Sequence, residues 1–345
     1  MAIERLVTTT AALPDEEPAN WSLRPTRIGE YIGQSDLIAR LSIALQAAKG
    51  RGSPLDHVLL HGPPGLGKTT LAHVIAAEMG TKAYTTSGPA LSKGTDLVSA
   101  LTRLEAGDIL FIDEIHRMPI AVEEFIYPAM EDYKIDVPVD SGMHARTVQI
   151  KLKPFTLIGA TTRAGLISAP LRSRFVLSHH LRFYSPNELL AIVRRSAAML
   201  TMPNSDLAAL KLIADRSRGT PRIANRLLRR VRDYSQVKAN SELSTAIVQL
   251  ALKMEGVDAL GLDELDRQYL RIIGTTYKGG PCGVEALAAT MSEDSGTLED
   301  VVEPFLLQLG FLARTRRGRM LTAAGAKHIG VAPPPEFAEV EGDLL

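Results

Sequence analysis

The octapeptide GPPGLGKT, residues 62–69, restricts this chain more than any other stretch of it. Its spacing is GxxxxGK followed by Ser or Thr. HVLLHG before it reads as a buried strand, and KTTLAHVIAAEM after it reads as a helix stopped by Gly80. Glycines at such a junction let backbone N–H groups turn inward around phosphate, and the helix N-terminus adds its dipole. Lys68 then carries charge to the β and γ phosphates, while Thr69 offers a hydroxyl to magnesium.

Residues 35–184 supply the sheet that this loop needs. Short apolar runs alternate with helical stretches, DILFID and FTLIGAT being two further strands, and such alternation implies a parallel sheet covered by helices. ILFIDE carries two acids at the end of its apolar run. Ligands bind at that edge of an open α/β sheet, so Asp113 and Glu114 emerge beside the phosphates. Asp113 is placed to hold the magnesium shell, and Glu114 to orient or deprotonate the attacking water. GATTR, residues 159–163, ends another strand, where either Thr161 or Thr162 can position that water.

Other segments stand apart from this core. YKIDVPVDSGMHARTVQIKLKPFT reads as an inserted hairpin, about 134–153, turning near 141–144. Residues 185–256 read as a small helical domain opened by the capping-box sequence SPNE. Within it GTPR, 219–222, places Arg222 in a first helical turn, where the dipole disfavours a cation and an anionic partner would compensate. Short helices then precede TLEDVVEPFLLQLG, whose Val301, Val302, Phe305, Leu306 and Leu309 are expected to share one helical face. FLART, the turn RRG and RMLT form a basic hairpin, and helices followed by such a hairpin predict a winged-helix domain over 257–330. Its Arg314, Arg316, Arg317 and Arg319 have no acid among them and suit phosphate neutralisation without base reading.

Composition closes off other classes. The 345 residues allow two or three domains with sizeable cores. With 39 basic and 39 acidic side chains the formal charge is zero, so nucleic acid must be met by local patches. No run approaches the ~18 apolar residues of a membrane span. The leader, 1–20, has acids and a proline where a signal peptide needs an apolar segment, so a cytoplasmic location is expected. The leader and the proline-rich acidic tail, 331–345, are expected to be flexible. The single Cys282 rules out an internal disulfide and a cysteine-rich zinc site, which suits a reducing compartment and a fold without structural metal. LRSRF, 171–175, poses a choice: residues two apart face apart in a strand or a helix, so at most one of Arg172 and Arg174 reaches a given site.

Six stretches carry a family likeness: LRPTRIGEYIGQ (23–34), HGPPGLGKTTLAHVIAAEMG (61–80), ILFIDEIHRM (109–118), PFTLIGATTRAGLISAPLRSRF (154–175), GTPRIANRLLRRVRDY (219–234) and EDVVEPFLLQLGFLARTRRGRM (299–320). In them the chain resembles the AAA+ ATPases and, among these, the bacterial RuvB family of Holliday-junction branch-migration motors. The resemblance covers about residues 20–330. It implies an α/β fold: a P-loop AAA+ ATPase core with a parallel sheet (21–184), a small helical lid domain (185–256) and a C-terminal winged-helix domain (257–330). It implies ATP and Mg2+ as cofactors, with Leu23, Arg24 and Tyr184 near adenine and ribose. Gly65, Lys68, Thr69 and Thr70 would cradle phosphate and magnesium, with Glu131, Asp132 and Tyr133 around the nucleotide. Arg222 would be a second sensor, and Arg174 an arginine finger presented to a neighbour's γ-phosphate, leaving Arg172 for an interface salt bridge or a structural contact. The resemblance further implies a homo-hexameric ring on four-way junction and duplex DNA. A junction-binding partner, RuvA, would be gripped by the hairpin 134–153 through Ile150, and the resolvase RuvC would act alongside. Arg314 and Arg319 match arginines that the family sets against the DNA backbone. The chain departs from the family in the divergent hairpin and at Ser295, which stands where an arginine is usual.

Other AAA+ classes fit less well. TTSGPALSKGTDL lacks the aromatic pore-loop residue of a protein unfoldase, and LRSRF with a lone Cys282 lacks the cysteines of a clamp loader. A DNA-bound, ATP-controlled switch is the remaining alternative, and movement of the DNA separates it from a motor.

Overall fold

Strands that are buried along nearly their whole length belong in the middle of a parallel sheet, and three of the described strands are of this kind. In the computed structural model, which describes residues 23–138, 147–202 and 206–333, these are β1 (Val58–His61), β3 (Ile109–Asp113) and β6 (Thr156–Thr161), buried almost throughout. The more polar β2 (Ala83–Ser87) and β7 (Leu177–His180) take the edges, giving a parallel sheet in the order β2-β3-β6-β1-β7. This order puts the C-terminal ends of β1, β6 and β3 side by side, so the glycine loop, the threonine pair and the acidic pair open on one edge. The helices of this part are α1 (Ser35–Arg51), α2 (Lys68–Met79), α3 (Gly94–Thr102), α4 (Ile120–Asp132) and α5 (Ala169–Ser173). Leu59, Leu110, Ile112, Ile126, Phe155 and Leu157 belong to one buried cluster between sheet and helices. β4 (Lys134–Pro138) and β5 (Thr147–Lys151) form the inserted antiparallel hairpin, with Ile135 opposite Ile150. Its turn at 141–144 lies outside the described residues, as do the leader and most of the tail.

The chain divides into two compact units between Tyr184 and Ser185. In the second, α6 (Pro186–Met199) starts with the capping box read from SPNE: the Glu188 carboxylate accepts from Ser185 N at 2.7 Å, and Glu188 N donates to Ser185 Oγ at 3.3 Å. α7 (Leu207–Asp215), α8 (Pro221–Lys238) and α9 (Thr245–Met254) complete the lid. The winged helix follows with α10 (Glu264–Thr275), α11 (Val284–Met291), α12 (Glu303–Gln308), the hairpin β8 (Leu312–Thr315) and β9 (Gly318–Leu321), and α13 (Ala323–Ile329).

TLEDVVEPFLLQLG departs from the expected single helical face. Leu298–Val302 is a π-helical turn ahead of α12, where Pro304 has no N–H to continue an ordinary ladder. The wider turn leaves Val302, Phe305 and Leu306 buried but Val301 50% exposed, and it brings Glu303 to 0% exposure. Among the described residues no helix is long and apolar enough to cross a membrane.

Candidate nucleotide site and basic hairpin

The phosphate loop is held so closely that only glycine fits at two of its positions. A Cβ at Gly62 (φ +139°) would stand 2.5 Å from Leu181 O, and one at Gly67 (φ +97°) would stand 2.8 Å from the Tyr31 hydroxyl. Tyr184 Oη donates to Leu66 O and pairs with Tyr31 Oη, both at 3.2 Å, so two tyrosines brace the loop. Burial pushes the Tyr31 hydroxyl up to about 12, which keeps it neutral. Lys68, itself buried, donates to Gly62 O at 2.8 Å and Pro63 O at 3.0 Å. These two carbonyl groups fix the ammonium at the mouth of its own loop. Thr69 and Thr70 follow in the first turn of α2, and Gly65 (φ +79°) shapes the loop ahead of it.

The segment 23–34 is tied to the same framework. Gln34 Nε2 donates to Arg182 O at 2.6 Å and Arg182 N donates back to Gln34 Oε1 at 3.1 Å, while Ile28 N donates to Glu78 Oε1 on α2 at 3.0 Å. Leu23 is buried. Burial, with the charge of Arg24 as a second cause, lowers His73 on α2 to about 4.

Asp113 closes β3, and Glu114 takes a left-handed backbone, φ +46°, that turns its side chain along the sheet edge. Glu114 Oε2 accepts from Thr162 N at 3.3 Å and Thr162 Oγ1 at 3.2 Å, and lies 3.2 Å from His116 Nδ1. The Thr161 hydroxyl instead pairs with His116 Nδ1 at 2.8 Å and accepts from Arg163 N at 2.9 Å. The two threonines, equivalent in sequence, thus divide: Thr162 shares the carboxylate, and the buried Thr161 holds the imidazole beside it.

Arg174 makes its contacts on α4 and α5 rather than at the phosphate loop. Its guanidinium lies 4.2 Å from the Tyr127 ring centroid, donates to Pro170 O at 2.7 Å and pairs with Glu131 at 3.1 Å. Tyr127 Oη in turn donates to the buried Glu123 at 2.6 Å, and Ser168 Oγ donates to the same carboxylate. Arg172 is exposed, as is Asp132. Tyr133 packs edge-on against Phe155 at 5.8 Å. Ile150 is half-buried against the core, whereas Val148 is an apolar side chain that the hairpin exposes. In the second unit, Arg222 is exposed in the first turn of α8, directly after Pro221.

The basic hairpin is less free than its sequence implies. Arg319 donates from Nε to Glu303 Oε1 at 2.9 Å and from an Nη to Glu299 Oε1 at 2.7 Å, and Arg314 pairs with the other oxygen of Glu303. Tyr269 Oη also donates to Glu303, at 2.7 Å. The hairpin itself carries no acid, and the acids that meet its arginines come from the π-helical turn and the start of α12. Arg319 is 15% exposed and turned inward, Arg314 is 46% exposed, and Arg316 and Arg317 stand exposed at the turn. Ser295 lies in a short helical turn, Ser295–Thr297, capped by Asp294.

Sequence reasoning passed over Tyr31, His116 and Tyr127. The first two sit inside quoted stretches, EYIGQ and DEIHR, and their polar rings beside the loop and the acids were a usable signal. Tyr127 left no signal, because its role depends on α5 folding back over α4.

With this geometry in place, relatives can be set beside it. Three family models match in succession: the RuvB Holliday junction DNA helicase P-loop domain over residues 23–181, the RuvB AAA lid domain over 184–258 and the RuvB C-terminal winged helix domain over 259–330. Among solved structures, the Thermotoga maritima RuvB Holliday junction branch migration motor is 50% identical, with a TM-score of 0.84 over 91% of this chain and 100% of that one. A lysine-to-arginine mutant of that protein is 51% identical, with a TM-score of 0.84 over 90% of this chain and 99% of its own. Likeness of this strength runs through sheet, lid and winged helix alike, and on it the chain belongs to the RuvB family of P-loop ATPases.

Proposed function

We propose that this chain is an ATP-driven DNA motor that drives branch migration of Holliday junctions in recombination and repair. The observation that carries the reading is the Glu114–Thr162 pair. A carboxylate and a hydroxyl meet at the sheet edge beside the strand that feeds the glycine loop, in a chain whose other end presents arginines on a wing.

Phosphoryl transfer to water is mostly positioning and charge neutralisation, and each residue has a place in it. Gly65, Lys68, Thr69 and Thr70 surround the phosphates, and Glu114, held by Thr162, orients or deprotonates the water. Leu23, Arg24 and Tyr184 face adenine and ribose, Glu131, Asp132 and Tyr133 lie around the nucleotide, and Arg222 senses its state. The Thr69 hydroxyl and the Asp113 carboxylate are the oxygen donors suited to Mg2+, which when bound offsets charge on the phosphate oxygens. Arg174 completes the site of a neighbour in a homo-hexameric ring. The parts are the ATPase core 21–184, the lid 185–256 and the winged helix 257–330, in a cytoplasmic protein. RuvA docks on the hairpin 134–153, where Val148 joins Ile150 as an apolar contact, and RuvC acts on the same junction. DNA contact falls to Arg314 and Arg319, which also pair with Glu303 and Glu299, and to the exposed Arg316 and Arg317 at the turn between them.

The test is movement of a synthetic four-way junction by the full chain, with and without RuvA. ATP-dependent conversion of the junction to duplex products is expected. Hydrolysis without junction movement under either condition would overturn the reading in favour of a DNA-bound switch.

A further inference from the structure

RSRGTPR, 216–222, contains Arg222, but its buried arginine is another one, Arg218, which none of the chemistry above employs. Arg218 takes a left-handed backbone, φ +54°, and is 6% exposed. Its guanidinium leaves the lid and enters the winged helix. One Nη pairs with Asp263 at 3.0 Å, and the other pairs with Asp266 at 2.9 Å and donates to Val301 O at 3.3 Å. The same group lies over the Phe305 ring, 4.9 Å from its centroid. Asp266 is itself fully buried in α10, and Phe305 belongs to α12, so one side chain from the lid touches two helices of the winged helix and the turn between them.

The surrounding backbone is equally close. A Cβ at Gly261 (φ +87°), at the start of the winged-helix domain ahead of α10, would stand 2.7 Å from Arg216 O. Thr220 donates to Ser217 O through both its amide, at 3.0 Å, and its hydroxyl, at 3.2 Å. Ser217 to Thr220 therefore form one closed turn that runs directly into α8, with Arg218 inside it anchored in the winged helix and Arg222 exposed two residues beyond it. A buried ion pair is a poor way to gain stability, since apolar residues of similar volume usually do as well or better. What a two-carboxylate grip on a planar guanidinium provides is a single fixed geometry.

We infer that Arg218 is a coupling residue: it fastens the turn that presents Arg222 to the winged helix, so that lid and winged helix move as one lever when the nucleotide changes. The nucleotide-sensing part rests on the reading of Arg222 given above; the fastening does not. A loose joint would absorb the lid's motion, whereas a clamped one delivers it to the DNA-bound wing.

The direct experiment uses the full chain with spin labels at Val237→Cys in the lid and Ala289→Cys in the winged helix, both exposed positions, in a Cys282→Ala background. Pulsed dipolar spectroscopy is expected to give one narrow distance, the same with ADP as with a non-hydrolysable ATP analogue, and Asp266→Ala is expected to broaden it. A distance that shifts with nucleotide while the clamp is intact would overturn the inference. The functional arm compares Arg218→Lys, which keeps the charge but cannot bridge two carboxylates, with Arg222→Ala. Arg218→Lys is expected to keep ATP turnover within about threefold while junction movement per ATP falls at least about tenfold. Turnover and movement falling in proportion would make Arg218 merely structural. Arg222→Ala is expected to lower turnover itself. If it does not, while Arg218→Lys still uncouples, the sensing role fails and the clamp stands.

Discussion

The phosphate loop and the basic wing are both short, cationic and shaped by glycine, yet they anchor their charges differently. Lys68 donates to the carbonyl groups of Gly62 and Pro63, within its own loop. Arg314 and Arg319 are held by the carboxylates of Glu303 and Glu299, which a separate element of the fold supplies. The contrast teaches that a run of like charges does not state its own purpose. What holds the charge decides whether it serves a ligand or the fold.

The largest effect expected separates binding from turnover in the first region. Glu114→Gln should lower ATP turnover by about 10³-fold with nucleotide affinity retained, whereas Lys68→Ala should lose affinity itself. Equal loss of affinity in both, measured by titration with a fluorescent nucleotide, would make Glu114 structural and remove the contrast. In the second region, Arg319→Ala leaves the fully buried Glu303 without one of its cationic partners and should cost roughly 3–5 kcal/mol in denaturant unfolding. Arg316→Ala, at the exposed turn, should cost almost no stability and instead reduce the salt dependence of duplex binding by about one unit of slope. If the two arginines exchanged these outcomes, the wing's charge would be serving ligand rather than fold.

A finer division lies within the nucleotide face. Thr162→Val should lower turnover by about 10- to 100-fold, because Glu114 loses the hydroxyl that orients it. Thr161→Val should act mainly on stability, by about 1–3 kcal/mol, by leaving the His116 ring without its hydroxyl partner. The smallest effect is one of pH. His73 sits at about 4 in the folded chain against an ordinary 6.5, so protonation favours the unfolded state. Its stabilising share is complete above about pH 6.5 and is lost as pH falls towards 4. His73→Gln should accordingly be less acid-sensitive, by roughly 1 kcal/mol near about pH 5.5 in thermal or denaturant unfolding.

The same contrast explains what could be read from sequence. α2 runs from Lys68 to Met79, as the run KTTLAHVIAAEM indicates, because glycine loops and helix stops are local backbone chemistry. The Ser185–Glu188 capping box and the β8–β9 hairpin are local in the same sense. Glu303 was not legible as a buried acid, since its burial depends on a π-helical turn forced beside Pro304 and on Tyr269, Arg314 and Arg319 arriving from other elements. The partners of Arg174 and Arg218 were hidden for the same reason. Glu131 and Tyr127 for Arg174, and Asp263 and Asp266 for Arg218, lie more than forty residues away in sequence and are brought in by packing. LRSRF is the intermediate case: spacing limits the choice to one arginine, and the structure shows Arg174 cradled by Tyr127, Pro170 and Glu131 while Arg172 stays exposed.

If the nucleotide face is half of a site that a neighbouring chain completes, Arg174 must act in trans, where such an arginine contributes about 10³- to 10⁵-fold to rate. The most direct measurement mixes Arg174→Ala chains, which keep an intact phosphate loop, with Lys68→Ala chains, which keep the arginine, and follows ATP hydrolysis in verified mixed rings. Partial recovery of hydrolysis over either variant alone is predicted. No recovery would contradict the shared site and assign the arginine's action to its own chain, or to Arg172.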